Sequence, residues 1–188
     1  MEIIAKGGTL ELDVVSKQET GSSKFYFGAG WDNPNGPVDL DLVAAALTGG
    51  KLANADNYTY YAQKKTAGVL LSDDNTTGEG DGDDESIVID TGALADDIDA
   101  IAIGLVCYSG SADFSNAPNP HFRVVDGDQE SGEQMADVQP GSGAAGDTVL
   151  VGFMLTKSDS GWKLDVSGDF HASGNGTGAI EGFAKLYG

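Results

Sequence analysis

Thr9-Leu10-Glu11-Leu12-Asp13-Val14 alternates polar and apolar side chains over six residues. Successive side chains of a strand point to opposite faces, so this stretch predicts a half-buried antiparallel strand. Working outward, comparable segments recur at Lys24 to Gly28, Pro37 to Leu47, Asn57 to Tyr61, Ser86 to Asp90, Ala100 to Tyr108, His121 to Asp126, Thr148 to Leu155 and Trp162 to Ser167. Turn residues separate them. Short strands joined by Gly-rich turns predict an all-β fold, a two-sheet antiparallel β-sandwich, because two sheets must bury their apolar faces against each other. Helix is scarce. Ile180, Phe183, Ala184 and Tyr187 follow the spacing of one helical face and predict a short C-terminal helix over Gly178 to Tyr187 that packs on the sandwich. Asp73 to Glu85, Asp126 to Asp137 and Pro140 to Asp147 read as polar, Gly-rich loops. A strand pattern, Trp162 and the helix pattern still follow the last of them, so residues 1–188 read as one domain.

The 188 residues include 28 glycines, one cysteine, two histidines and 30 acidic side chains against 10 basic ones, a net charge of −20. That charge repels phosphate backbones and anionic membrane surfaces, which argues against nucleic acid and membrane insertion and makes cations the expected partners. Of the acids, 22 are Asp, a bias that suits turns and oxygen-rich cation sites more than salt-bridged helices. Met1-Glu2-Ile3-Ile4 begins no apolar core of signal-peptide length. The longest apolar stretch, Ala100 to Tyr108, is far short of the ~20 residues that span a bilayer. A soluble, cytoplasmic protein is the expectation. Cys107 has no intrachain partner and reads as a small buried hydrophobe.

Chemistry concentrates in Asp73-Asp74-Asn75-Thr76-Thr77-Gly78-Glu79-Gly80-Asp81-Gly82-Asp83-Asp84-Glu85, seven carboxylates in thirteen residues. These repel one another at neutral pH, and a hard divalent cation taking six to eight oxygens, such as Ca²⁺, converts the repulsion into affinity. The bland alternative is a solvated acidic loop. Asp73, Asn75, Thr77 and Gly78 match positions 1, 3, 5 and 6 of an EF-hand loop, with Asp84 at position 12. The flanks do not match, because that position calls for a bidentate Glu between helices and here a strand pattern follows. The Gly-Asp alternation of β-helix calcium repeats needs tandem copies, and this segment occurs once.

A second constellation is Val38-Asp39-Leu40-Asp41-Leu42, preceded by Gly30-Trp31-Asp32. On a strand, Asp39 and Asp41 share one face with Cα atoms about 6.7 Å apart. Asp is depleted from strands, so the pair implies either a solvated edge or a shared cation. Arg123, the chain's one arginine, sits among Phe122, Val124 and Val125, and reads as an internal ion pair holding a loop ahead of an anchor for an anionic ligand. His121 and His171 lack paired spacing, which argues against zinc, and Trp31 and Trp162 read as core aromatics.

Lys6-Gly7-Gly8, Gly30-Trp31-Asp32, Asp39-Leu40-Asp41, the Asp74 to Glu85 string, Phe122-Arg123-Val124-Val125-Asp126, Gly161-Trp162-Lys163 and the closing helix together resemble the TerD family of tellurite-resistance and stress proteins. The resemblance covers nearly the whole chain. It implies a β-sandwich binding calcium at one end, with ligands from the Asp-x-Asp strand and the acidic loop. Asp39, Asp41, Asp74, Asn75, Thr77, Asp83, Asp84 and Glu85 occupy the matching positions, with Asp32 and Asp81 nearby. Asp73 departs from the Gly usual before the Asp-Asn pair, and Tyr108-Ser109-Gly110-Ser111 departs from the family's acidic pattern.

No Gly-x-Ser-x-Gly elbow or Cys-His signature is present, so a nucleophilic hydrolase is not expected. The leading expectation is a calcium-binding scaffold or sensor of the TerD type, acting in stress or tellurite response through contacts with other proteins. Alternatives are a structural subunit whose self-assembly is driven by calcium sites or sheet edges, and a metal-dependent hydrolase using Asp83 or Asp84.

Overall fold

The computed structural model describes residues 2–12, 24–33, 36–117, 119–127, 129, 132–159 and 161–188. Its elements are β1 (Glu2–Ala5), β2 (Thr9–Leu12), β3 (Lys24–Gly30), β4 (Leu40–Thr48), β5 (Lys51–Leu52), β6 (Tyr58–Thr59), β7 (Lys65–Thr66), β8 (Val69–Leu71), β9 (Glu85–Asp90), β10 (Ala100–Cys107), β11 (His121–Asp126), β12 (Glu133–Gln139), β13 (Asp147–Ser158), β14 (Gly161–Ala172) and α1 (Thr177–Lys185). One sheet runs β1-β12-β11-β3-β9-β8-β7; the other runs β2-β14-β13-β10-β4-β5, with β6 also on β4. Pairing is antiparallel except where β1 joins β12 in parallel. The all-β sandwich with a C-terminal helix is therefore the observed fold. Asp13 and Val14 of the opening alternation lie outside the described residues.

Alternation builds the core between the sheets. Phe25, Phe27 and Ala29 of β3 point inward with Phe122 and Val124 of β11 and Ile87 and Ile89 of β9. Leu40, Leu42, Ala44 and Ala46 of β4 meet them with Ile101, Ile103, Leu150 and Phe153. The Phe153 ring of β13 reaches across to the other sheet, 4.7 Å edge-on from Phe122 and 5.8 Å from Phe27 between centroids. Each such fully buried side chain contributes about 1.5–3 kcal/mol relative to exposure. Trp31, Trp162 and Cys107 are buried here, as their apolar surroundings in sequence suggest.

The opposite face of β4 carries Val43, Ala45 and Leu47, which pack with Val149, Val151 and the α1 residues Ala179, Ile180 and Phe183. The helix thus covers the outside of one sheet, and both faces of β4 and β10 are dry, which is why these strands read as continuous apolar runs.

One expectation is corrected. Asp126 to Asp137 is not all loop, because Glu133–Gln139 forms β12 between β11 and β1. Ala136 and Val138 supply its buried positions. Two buried apolar residues, with Met135 falling out of their alternation, make too weak a pattern to see, and hydrogen-bonded neighbours on both sides override the polar composition.

Candidate metal centre

The first half of β4 is half paired. Leu40 to Val43 have β10 on one side, whereas β5 and β6 pair only Ala44, Ala45, Leu47 and Thr48 on the other. An unpaired strand amide needs an acceptor. Glu85 supplies it: its Oε2 accepts the Leu42 N–H at 2.7 Å and its Oε1 the Asn75 N–H at 3.2 Å. Glu85 opens β9 on the same face as Ile87 and Ile89, so it extends from the core side of one sheet to the open edge of the other.

Beside it stand Asp41 and Asp74. One carboxylate oxygen from each of Asp41, Asp74 and Glu85 lies within 4.8 Å of the others. Asp41 is 3% exposed, so the strand aspartate is no solvated edge. Its Oδ2 is buried with no donor, and so is Oδ1 of Asp39. Burial, reinforced by Asp39 and Asp74, pushes the Asp41 carboxyl up to about 7. Burial likewise pushes Glu85 up to about 8, against the two N–H donors that hold its charged form. Asp39 is raised by burial and then by Asp74. Buried carboxyls raised by desolvation and by neighbouring carboxylates, with buried oxygens lacking donors, are an arrangement that a cation would relieve.

The remaining residues of the acidic string do other work. Asn75 Oδ1 accepts from Thr77 N–H and Gly78 N–H, each at 3.0 Å, which folds the loop into a local turn. Gly78 has φ +60°, and a Cβ there would fall on the Trp31 ring. The Thr77 carbonyl accepts from the Asn33 side chain. Asp84 accepts from Trp31 N–H at 2.9 Å and Asn75 Nδ2 at 3.0 Å, and burial raises its pKa. Asp32 and Asp81 are exposed. Asp73, the added acid, is exposed and pairs with Lys64 at 3.0 Å.

Asp83 is turned away from the cluster. Arg123 Nε donates to both of its oxygens at 2.9 and 2.8 Å, Nη2 lies 2.6 Å from Oδ2, and Tyr26 Oη donates to Oδ2 at 2.6 Å. The lone arginine therefore makes the internal ion pair that its sequence setting suggests.

A family model described as the TerD domain matches residues 1–186. The chain belongs to the TerD domain family. It is 32% identical over 185 residues to the stress response protein SCP2 of Bacillus subtilis, covering 88% of this chain and 90% of the relative. With the tellurium resistance protein TerD of Alcaligenes it shares 29% identity over 180 residues, 91% of each. Among solved structures, a TerD homologue from Streptomyces coelicolor, SCO6318, superposes with a TM-score of 0.65 at 16% identity, over 89% of this chain and 99% of that one. A protein of unknown function, SAV2460, also gives 0.65, at 24% identity, over 87% and 95%. At these identities the two structures establish the fold.

In this TerD domain the site thus gathers Asp41, Asp74 and Glu85, with Asp39 beside them. Sequence reasoning missed three contributors: the Leu42 and Asn75 amides that orient Glu85, and Gly28, where a Cβ would fall on the Asp83 carboxylate. The backbone donors leave no trace in a sequence. The small-residue run Gly28-Ala29-Gly30 inside a strand does, since glycine there marks close approach by another group.

Proposed function

We propose that this TerD domain binds Ca²⁺ between the open edge of β4 and the acidic loop, and serves as a calcium-dependent scaffold or sensor in stress or tellurite response. The observation that carries the reading is the buried Asp41 oxygen without a donor, set against Asp74 and Glu85. The donor set suits calcium. All three groups are carboxylates, hard oxygen ligands, and a loop with Gly78, Gly80 and Gly82 tolerates the irregular six- to eight-oxygen shell that Ca²⁺ accepts and Mg²⁺ does not. Asp41, Asp74 and Glu85 would hold the ion, with Asp39 in reach of the same charge.

When bound, the ion supplies positive charge, and the chain does the rest. Glu85 ties the edge of β4 to the start of β9, and Asn75 ties the loop to Glu85. Binding would therefore set the surface where both sheets and the loop meet, which suits a protein that acts by contacts with other proteins. The names of the stress-response and tellurium-resistance relatives support the cellular setting, and the net charge of −20 supports cations and proteins over nucleic acid as partners. The cytoplasm is the compartment this reading assigns.

Thermal unfolding tests it. A ligand that binds only the folded state adds about 2.7 kcal/mol at a hundred times its dissociation constant. The melting temperature should rise from EDTA to millimolar Ca²⁺ at fixed ionic strength, and rise less with Mg²⁺. Equal melting in all three removes the reading.

A further inference from the structure

We propose that Arg123 is a positioning residue for the calcium site, setting the acidic loop through its grip on Asp83; the proposal rests on the calcium reading above. Asp83, Asp84 and Glu85 are consecutive, yet each is held in a different place. Asp83 lies over the outer face of its sheet, where Tyr26, Gly28 and Arg123 sit on adjoining strands, with Gly28 opposite Arg123 in register. Asp84 donates its N–H to the Ala29 carbonyl at 2.8 Å and holds the Trp31 amide and the Asn75 side chain. Glu85 turns inward and holds Asn75 N–H. Asn75 is the residue after Asp74. A continuous chain of bonds therefore runs from Arg123 through Asp83, Asp84 and Asn75 to Asp74 and Glu85.

The grip is built for rigidity. The Asp83 side chain is 3% exposed, and the absent side chain of Gly28 leaves the space in which it lies. The guanidinium meets it through three contacts, and its carbon sits 5.2 Å from the centre of the Tyr26 ring. A planar fork fixes carboxylate orientation in a way that an ammonium group cannot. A buried carboxylate deprived of its cation is strongly unfavourable, so without Arg123 the loop must lift Asp83 toward water. That movement would carry Asp84 and the Asn75 turn with it.

Calcium titration and Tb³⁺ luminescence lifetimes in H₂O and D₂O, which count waters on the bound ion, test this on the full chain. The wild type is compared with Arg123→Lys, Arg123→Met, Asp83→Asn and Arg123→Met/Asp83→Asn, at a temperature where circular dichroism shows each folded. Removing a group that orients ligands costs about 10- to 100-fold in metal affinity. Arg123→Met should fall in that range with unchanged stoichiometry and added water on Tb³⁺, Arg123→Lys should fall between it and the wild type, and the double variant should bind no worse than the weaker single. Wild-type affinity and water count in folded Arg123→Met overturn the proposal, because a merely stabilising pair would lower the melting temperature alone. Should Arg123→Met not fold, wild-type affinity in Arg123→Lys overturns it equally. If the wild type binds no metal, the calcium reading itself fails and this proposal with it.

Discussion

Glu85 on β9 accepts the Leu42 amide proton of β4 at 2.7 Å, so a single carboxylate joins the start of β9 in one sheet to the open edge of β4 in the other. Its other oxygen holds Asn75, and the acidic loop is thereby tied to the same side chain.

Glu85→Gln should therefore destabilise the protein even without metal. A carboxylate offers both N–H groups an acceptor, whereas an amide offers one oxygen and turns an NH₂ toward the other donor. An unsatisfied buried donor costs about 1–3 kcal/mol. Urea unfolding in EDTA at about pH 9, above the raised pKa of about 8 where Glu85 is ionised, should show a loss of that order; no change would mean that the Leu42 and Asn75 bonds contribute nothing.

Calcium stabilisation should grow with pH. The folded, metal-free carboxyls of Asp41 and Glu85 are raised to about 7 and about 8, above their ordinary values. Their contribution to metal-free stability is complete below about pH 4 and is lost as pH rises through 7 to 8. Calcium requires the deprotonated forms, so binding releases protons across the same window. The difference in melting temperature between Ca²⁺ and EDTA should widen from pH 5.5 to 8.5, and binding heats should differ between buffers of different ionisation enthalpy. A pH-independent difference would contradict this.

The sandwich was legible where a strand shows a sustained polar–apolar alternation or an apolar run. β2, β9 and β14 alternate in sequence, and the dry β4 and β10 show as apolar runs. β12, with two buried side chains among polar ones, was not legible, and β7 and β8 are too short at two and three residues to show a period, although Val69 and Leu71 of β8 are buried. Of the site, the acidic loop and the Asp39/Asp41 pair stood out by charge density. Which acids face one another did not, because Asp83 and Glu85 differ only by which sheet face the backbone turns them to, and that depends on Gly28 and on amides 43 and 10 residues away from Glu85.

Gly28→Ala probes that dependence from the other side. Its Cβ would overlap the Asp83 carboxylate, which Tyr26 and Arg123 hold in place. Overpacking of this kind costs about 1–3 kcal/mol, and displacement of Asp83 should also weaken calcium binding. Wild-type melting and affinity would show that the loop sits elsewhere in solution.

The most direct measurement is a calorimetric titration of Ca²⁺ into the wild type and Asp41→Asn at pH 8. Asp41 makes no hydrogen bond through Oδ2 and bears a buried charge, so its amide should leave the metal-free fold intact while removing a ligand. The account predicts saturable binding by the wild type and a loss of at least one site's affinity in Asp41→Asn, with the variant melting in EDTA no lower than the wild type. Absence of binding heat in the wild type, or identical isotherms for the two proteins, would contradict a calcium site at Asp41, Asp74 and Glu85.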